Sequence, residues 1–338
     1  MSSPQRIVLA KRPVGAPVES DFRLESFNLP EPGEGEVLLE TLWLSLDPYM
    51  RGRMSDAKSY SAKVEIGDSI VGGTVSRVVQ SRNSKYANGD LVLGSSGWKT
   101  HDISSGAGLT KLDPKMPRPS MALGVLGMPG FTAYVGLLDI GEPKPGETVC
   151  VAAASGAVGA TVVQIAKIKG ARTVAIAGGD DKVAYVRDVL KADVALDHRA
   201  PDFAQQLEAA TPNGIDVYFE NVGGDVFSAV FPRLNEFARM PVCGMIAWYN
   251  LTSLPEGPDR TPAIMRSILT RRLKLQGFIV WDRKDRFGAF AADMGQWVRE
   301  GKIIAREDVV EGLENAPRAF MGLLEGRNFG KLVVKVAN

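Results

Sequence analysis

One stretch constrains this chain more than any other: residues 148–169 run from an apolar strand through a glycine turn into an apolar helix. The turn, Ala154-Ser155-Gly156-Ala157-Val158-Gly159, holds the positions of a G-x-G-x-x-G fingerprint with alanine at the first glycine. A pyrophosphate needs backbone N–H groups at a helix N-terminus. Gly156 lets the backbone approach it, and Gly159 lets the helix pack on its strand. The pattern predicts strands over 148–153, 173–177, 195–196, 217–219, 239–243 and 275–280. Helices are expected over 157–169, 182–190, 203–210, 263–272 and 287–299, with a Pro/Gly loop over 254–262. Strand–helix alternation at this spacing implies right-handed βαβ units and an open parallel sheet. Residues 149–166 carry no charge, which is long enough for a membrane span. Ala, Gly, Ser and Thr dominate the stretch and Gln164 sits inside it, so strand, turn and helix account for it and no membrane partner is expected.

The fold class is therefore α/β, with a Rossmann-type doubly wound parallel sheet, and the dinucleotide it takes is set at the end of the second strand. A site for NAD wants an acidic residue there for the ribose 2′-OH, whereas a site for NADP avoids it and supplies cations. The strand runs into Gly178-Gly179 with no carboxylate at its end, and Lys182 follows at the start of the next helix. Asp180 and Asp181 argue the other way, unless they serve as helix cap and first-turn anion with Lys182 a solvated charge. The expectation is NADP(H).

The first 120 residues read differently. Strand-like runs at 37–44 and 71–79 are separated by turn signals at 31–35, 88–90 and 95–97, which suggests a β-rich barrel or sandwich. The pattern changes after Pro117-Arg118-Pro119, and the run 331–336 looks β-like again, as if returning to complete the first unit. Length supports two domains, since 338 residues exceed the ~100–200 typical of one. A formal charge of +1 argues against a nucleic-acid partner. The apolar run from Ile7 to Ala10, between Arg6 and Lys11, is too short for a secretory signal, so the cytoplasm is expected.

Two cysteines, Cys150 and Cys243, are too few for a disulfide framework or a structural zinc site, and of the two histidines, His101 and His198, only His101 lies in the N-terminal β-rich part, where one alone cannot hold zinc. The chemistry expected is metal-free, with hydrogen-bond donors where an oxygen gains charge. Tyr49, in Leu46-Asp47-Pro48-Tyr49-Met50-Arg51, is one candidate donor, and Tyr60 and Tyr249 are others. An unselected tyrosine is more often packing with a wet tip. Asp47 and Arg51 are expected as a structural ion pair, and the basic clusters at 271–274 and 283–286 as solvated faces.

Leu46 to Arg51, Leu126-Gly127-Met128-Pro129-Gly130-Phe131-Thr132-Ala133-Tyr134, the run 153–159, Glu220-Asn221-Val222-Gly223-Gly224 and Asn328-Phe329-Gly330-Lys331 occur together in this order. As a set they resemble the zinc-independent medium-chain dehydrogenase/reductases of the prostaglandin and leukotriene reductase group, and within it the bacterial NADPH-dependent curcumin reductases. The resemblance covers essentially the whole length. It implies a GroES-like catalytic domain over 1–125 and 300–338 and a Rossmann dinucleotide-binding domain over 126–299. It also implies an active site in the cleft between them and a homodimer formed through the cofactor domains. Its NADP contacts fall on Gly156, Ala157, Val158, Gly159, Lys182, Asn221, Cys243, Gly244, Tyr249, Phe278, Ile279, Val280 and Asn328. His198 stands where many relatives carry a tyrosine that binds the 2′-phosphate, a departure that still leaves a donor. Tyr49, Tyr60 and Tyr249 match substrate-pocket tyrosines. The reaction implied is reduction of the C=C bond of an α,β-unsaturated ketone or aldehyde. Hydride goes to the β-carbon, and a tyrosine or the cofactor ribose hydroxyl stabilises the enolate oxygen. A quinone reductase and a non-catalytic NADP(H)-binding regulator are the alternatives.

Overall fold

The computed structural model describes residues 3–116 and 118–337, so Pro117, at the change of sequence pattern, lies outside the described residues. The chain divides into two compact units, Met1–Gly124 with Glu307–Asn338, and Val125–Arg306. The first begins with the hairpin-paired strands β1 (Gln5–Leu9) and β2 (Phe22–Ser26), then β3 (Val37–Ser45) and the short helix α1 (Tyr49–Arg53). Strands β4 (Thr74–Ser81), β5 (Leu91–Gly94), β6 (His101–Ser104) and β7 (Thr110–Lys111) follow. The second unit holds α2 (Met128–Val135), β8 (Thr148–Val151), α3 (Ala157–Ile168), β9 (Arg172–Ala177), α4 (Asp180–Asp188), β10 (Val194–Asp197), α5 (Phe203–Ala210) and β11 (Ile215–Phe219). It continues through α6 (Gly224–Val230), β12 (Leu234–Val242), α7 (Thr261–Arg271), β13 (Lys274–Gly277) and α8 (Phe287–Arg299). The chain then returns to the first unit with β14 (Glu307–Glu311), α9 (Ala316–Leu324) and β15 (Lys331–Lys335).

In the second unit six parallel strands lie in the order β10-β9-β8-β11-β12-β13. Val149, Cys150 and Val151 of the central strand are fully buried, as an unbroken apolar run requires when helices cover both faces. Each such valine contributes ~1.5–3 kcal/mol relative to exposure. The chain leaves β8 towards β9 on one side and returns as β11 on the other. Their carboxyl ends therefore flank a topological switch point, where open α/β sheets bind ligands. Residues 300–306 stay with this unit, held by Gln164, whose Oε1 accepts from Ile304 N at 2.7 Å while its Nε2 donates to the Ile304 carbonyl.

In the first unit β15 pairs antiparallel with β3, Val333 opposite Ser45, so the C-terminal run does complete the N-terminal sheet. That sheet has the order β14-β15-β3-β4-β5-β7 with β6 also on β3. Phe22 stacks on Trp98 at 5.8 Å and Phe320 of α9 meets both edge-on, closing a core that also takes Leu44, Met50 and Val334.

Several expected boundaries shift for identifiable reasons. The strand expected over 71–79 begins at Thr74, after a close backbone approach at Gly72, where a side chain would lie 2.9 Å from Leu44 Cδ1 and 3.3 Å from the Ser45 carbonyl. The strand expected over 148–153 stops at Val151, since Ala153 turns left-handed (φ 52°). The helix expected from 182 starts at Asp180, with Gly179 (φ 91°) as its N-cap. Thr261 and Pro262 belong to α7 rather than the preceding loop, the proline sitting where a first helical turn tolerates it. The strand expected over 275–280 ends at Gly277. The basic clusters are not merely solvated faces. Arg271 Nη1 donates to the carbonyls of Pro232 and Leu234, Arg272 pairs with Glu236, and Arg286 forks onto Asp139 at 2.9 Å. No helix among the described residues is long and apolar enough to cross a membrane.

Candidate active site

The glycine turn begins where β8 ends. Ala154 N donates to the Ile176 carbonyl of β9 at 2.8 Å, and Gly156 N closes back on the Ala153 carbonyl at 3.0 Å. Gly156 is extended (φ −82°, ψ 173°) and N-caps α3, and no side chain caps that helix. The N–H groups of Ala157, Val158 and Gly159 form the first helical turn, where a helix has no internal acceptors to offer. A Cβ on Gly159 would lie 2.2 Å from the Ala153 carbonyl oxygen, so α3 sits directly on the turn. A strained left-handed alanine, uncapped first-turn N–H groups and a side-chain-free cradle together fit a pyrophosphate.

Across the switch point, Asn221 Nδ2 donates to the Ala152 carbonyl at 2.8 Å, tying the end of β11 to the end of β8. The next loop is held by Glu220, which the sequence offered only as part of a motif. Its Oε1 accepts from Val222 N (2.6 Å) and Gly223 N (2.9 Å), and its Oε2 accepts from the buried Tyr218 hydroxyl (2.9 Å). Burial pushes this carboxyl above its ordinary value, and the backbone donors oppose the shift. The Glu220 carbonyl accepts from Cys243 N and Gly244 N, so the loop after β12 is fixed to it as well. Burial, then the Glu220 charge, pushes the Cys243 thiol up to about 12; with so little thiolate at neutral pH it is no nucleophile. Tyr249 follows a short turn at Ile246–Trp248, and its hydroxyl folds back to accept from Met245 N at 3.4 Å, beside Gly244. Phe278 lays its ring against Gly136 together with Phe219, Ile279 precedes the turn Val280–Arg286, and Val280 is buried.

At the end of β9, Gly178 and Gly179 are bounded by residues of the neighbouring strand's exit. A Cβ on Gly178 would lie 2.7 Å from His198 Nε2 and 3.0 Å from Arg199 Nε. His198 is held below the ordinary imidazole value, first by burial of its ring, then by Arg199 and Lys182, with Asp197 opposing. The structure thus gathers Lys182 and His198 in one corner and adds Arg199, which the sequence reading missed. Arg199 is 17 residues beyond Lys182 and becomes its neighbour only through the β9–β10 register.

In the first unit, Pro48 precedes α1 with φ −58°, preset for a helix start, and presents Tyr49 half-buried against the core. Burial, then the Asp47 charge, raises the Tyr49 phenol well above its ordinary range, so it is a neutral donor at any physiological pH. Tyr60 is 65% exposed in the following loop and close enough to Tyr49 to add to that shift. The ion pair expected between Asp47 and Arg51 is replaced by another. Asp47 Oδ1 meets Lys331 Nζ at 2.8 Å with side chains only 8% and 5% exposed, while Arg51 Nη2 donates to the Gly15 carbonyl at 2.8 Å. Lys331 also donates to the Leu46 carbonyl at 2.7 Å, and Ser45 Oγ donates to Asp47. Just before Lys331, Asn328 Nδ2 donates to the Gly330 carbonyl at 3.0 Å. Among the described residues no three His, Cys, Asp or Glu side chains converge as a metal site.

Residues 5–112 match the family described as the N-terminal domain of oxidoreductase, and residues 157–295 the family described as zinc-binding dehydrogenase. The chain is 60% identical to NADPH-dependent curcumin reductase of Escherichia coli (strain K12), over 98% of this chain and 97% of that protein. It is 46% identical to prostaglandin reductase 1 of Bos taurus, over 97% of each. It matches the crystal structure of CurA in complex with NADPH from Vibrio vulnificus with a TM-score of 0.96 at 56% identity, covering 99% of each chain.

Proposed function

The chain belongs to the medium-chain dehydrogenase/reductase family, in the group of the curcumin and prostaglandin reductases, and from that premise we propose that it is an NADPH-dependent reductase of the C=C bond of α,β-unsaturated ketones and aldehydes. The observation that carries this is the switch-point cradle of the second unit, with its uncapped α3 and a β9 that runs into Gly178-Gly179, in a chain 60% identical to an NADPH-dependent curcumin reductase. Bound NADPH supplies the hydride that adds to the β-carbon. The chain's own groups do the rest. Ala157, Val158 and Gly159 hold the pyrophosphate through their N–H groups, and Lys182 with His198 takes the 2′-phosphate. Asn221, Cys243, Gly244, Phe278, Ile279, Val280 and Asn328 are assigned as further cofactor contacts.

The substrate carbonyl oxygen gains charge as the β-carbon takes hydride, and a tyrosine O–H donates to it. Tyr49 is the preferred donor and Tyr249 the second, with Tyr60 a pocket residue. Solvent then gives the α-carbon its proton. No metal is assigned a part, because Cys150 is fully buried in β8 and the 1–124 and 307–338 unit has His101 as its one histidine and no cysteine. We assign the pyrophosphate and 2′-phosphate contacts to the 125–306 unit, and the Tyr49 donor to the other, which also contributes Asn328. A homodimer through the cofactor unit is supported by β13 as an open sheet edge and by Met265 and Leu269 exposed on α7. Two free thiols suit the cytoplasm.

NADPH oxidation with an enal, a long-chain enone, curcumin and a simple quinone tests the reading. Enone turnover to the saturated ketone is expected; quinone-only turnover, or none, refutes it. Lys182→Ala is expected to raise KM for NADPH about tenfold while leaving that for NADH in place, as loss of one charged contact implies. An unchanged preference removes Lys182 from the 2′-phosphate. Tyr49→Phe is expected to lower kcat about tenfold with KM for NADPH unmoved, since one hydrogen bond of ~1.5 kcal/mol is lost from the oxygen. An unaltered kcat passes the role to Tyr249.

A further inference from the structure

We propose that Arg199 is a specificity-determining residue for the 2′-phosphate, forming with Lys182 and His198 a cationic corner over Gly178-Gly179. This rests on the NADPH reading above and extends it to a residue just beyond the end of the neighbouring strand β10.

The corner is assembled by strand register. β10 runs parallel to β9 with Asp197 opposite Ala177, so the two residues that follow β10 emerge beside the two glycines that follow β9. A Cβ on Gly178 would lie 3.3 Å from Arg199 Cζ, and one on Gly179 3.5 Å from Arg199 Nη1. The guanidinium therefore lies along a stretch of bare backbone, at the strand end where a 2′-substituent of the adenosine ribose is read.

A phosphate of nearly two negative charges calls for more than one cation. Asp180 and Asp181 stand exposed in the first turn of α4, and the Asp197 carboxylate is engaged by the backbone N–H groups of Arg199 at 2.9 Å and of Gly179. Lys182 supplies one positive charge. His198 adds little charge near neutrality, because burial and its cationic neighbours hold it below the ordinary imidazole value. The second positive charge is Arg199, and its planar fork suits two phosphate oxygens at once.

The test uses isothermal titration of the full chain with adenosine 2′,5′-bisphosphate, and with adenosine 5′-monophosphate as the control lacking the 2′-phosphate. Arg199→Ala is expected to weaken the bisphosphate about tenfold or more and leave the monophosphate unchanged. Arg199→Lys keeps the charge but loses the fork and should fall between. Unchanged bisphosphate affinity in Arg199→Ala, with Lys182→Ala still weakened, overturns the role of Arg199 and leaves the NADPH reading standing. Equal weakening of both ligands also overturns it, since the arginine would then serve the adenosine alone. A wild-type chain that binds the two ligands equally well removes the 2′-phosphate site and the NADPH reading with it.

Discussion

Gly159→Ala is expected to lower the melting temperature of the cofactor-free protein and to abolish measurable NADPH binding, whereas Gly156→Ala should leave the melting temperature in place and weaken binding alone. The two glycines of the fingerprint face different obstacles. A Cβ at position 159 would lie 2.2 Å from the Ala153 carbonyl oxygen, 2.8 Å from its carbon and 2.9 Å from Ala154 Cα. All three are backbone atoms of the turn, so no rotamer change relieves the clash. Either α3 lifts from β8 or the turn deforms, and both separate the first-turn N–H groups from the place where a pyrophosphate would sit. Overpacking of this kind costs ~1–3 kcal/mol even where side chains can yield, and more where backbone must move. At position 156 the nearest protein atom to a Cβ is the same oxygen at 3.3 Å, which a few tenths of an ångström accommodate. The methyl group there intrudes only on the bound anion. Thermal melts of the cofactor-free variants, followed by NADPH titration, separate the two. Equal melting temperatures for wild type and Gly159→Ala would refute the clash.

Lys331→Met is expected to be the most destabilising single change in the first unit. Its ammonium, 2.8 Å from Asp47 and 2.7 Å from the Leu46 carbonyl, is almost fully buried, as is the carboxylate it neutralises. Removing one partner of such a pair typically costs ~3–5 kcal/mol, because the other charge stays desolvated and unpaired. For a unit of this size that corresponds to a loss on the order of 10 °C in melting temperature. The double variant Asp47→Asn/Lys331→Gln replaces the ions with a neutral hydrogen-bonded pair and should recover more than half of the loss. A single variant that melts within about 2 °C of wild type would show that water reaches the pair. The pair also joins two places with proposed roles, since Asp47 lies two residues before Tyr49 and Lys331 three after Asn328. Lys331→Met should therefore lower kcat in whatever fraction remains folded.

Much of the second unit was legible in the chain. The unbroken apolar run at 148–151, the glycine turn and the amphipathic helix after it form a pattern that few other folds produce, and the parallel sheet follows. The absence of a carboxylate at the end of β9 and the position of Lys182 were legible for the same reason: both lie within one βαβ unit. The resemblance carried by Asp47-Pro48-Tyr49 and the four later motifs extended this to the family, and the identities over nearly the whole length agree with it. Boundaries were less legible. Ala153 is an ordinary strand residue by composition, and only the need to turn the chain under α3 forces it left-handed.

The sequence by itself determined what depends on near neighbours: periodicity, turn chemistry, the glycine turn between β8 and α3, the scarcity of metal donors and the ordered motifs of a reductase family. These are local because a strand repeats every two residues and a helix every 3.6, so a short window carries the signal. Only the tertiary structure decided which charges meet. The sequence pairs Asp47 with Arg51 four residues on, yet its partner comes from 284 residues away, because β15 lies against β3. Arg199 reaches the glycines after β9 because β10 is that strand's parallel neighbour, and Glu220 holds two loops because β11 and β12 end side by side. Coulomb and hydrogen-bond energies depend on distance in space, and sheet register, which no local pattern specifies, sets that distance.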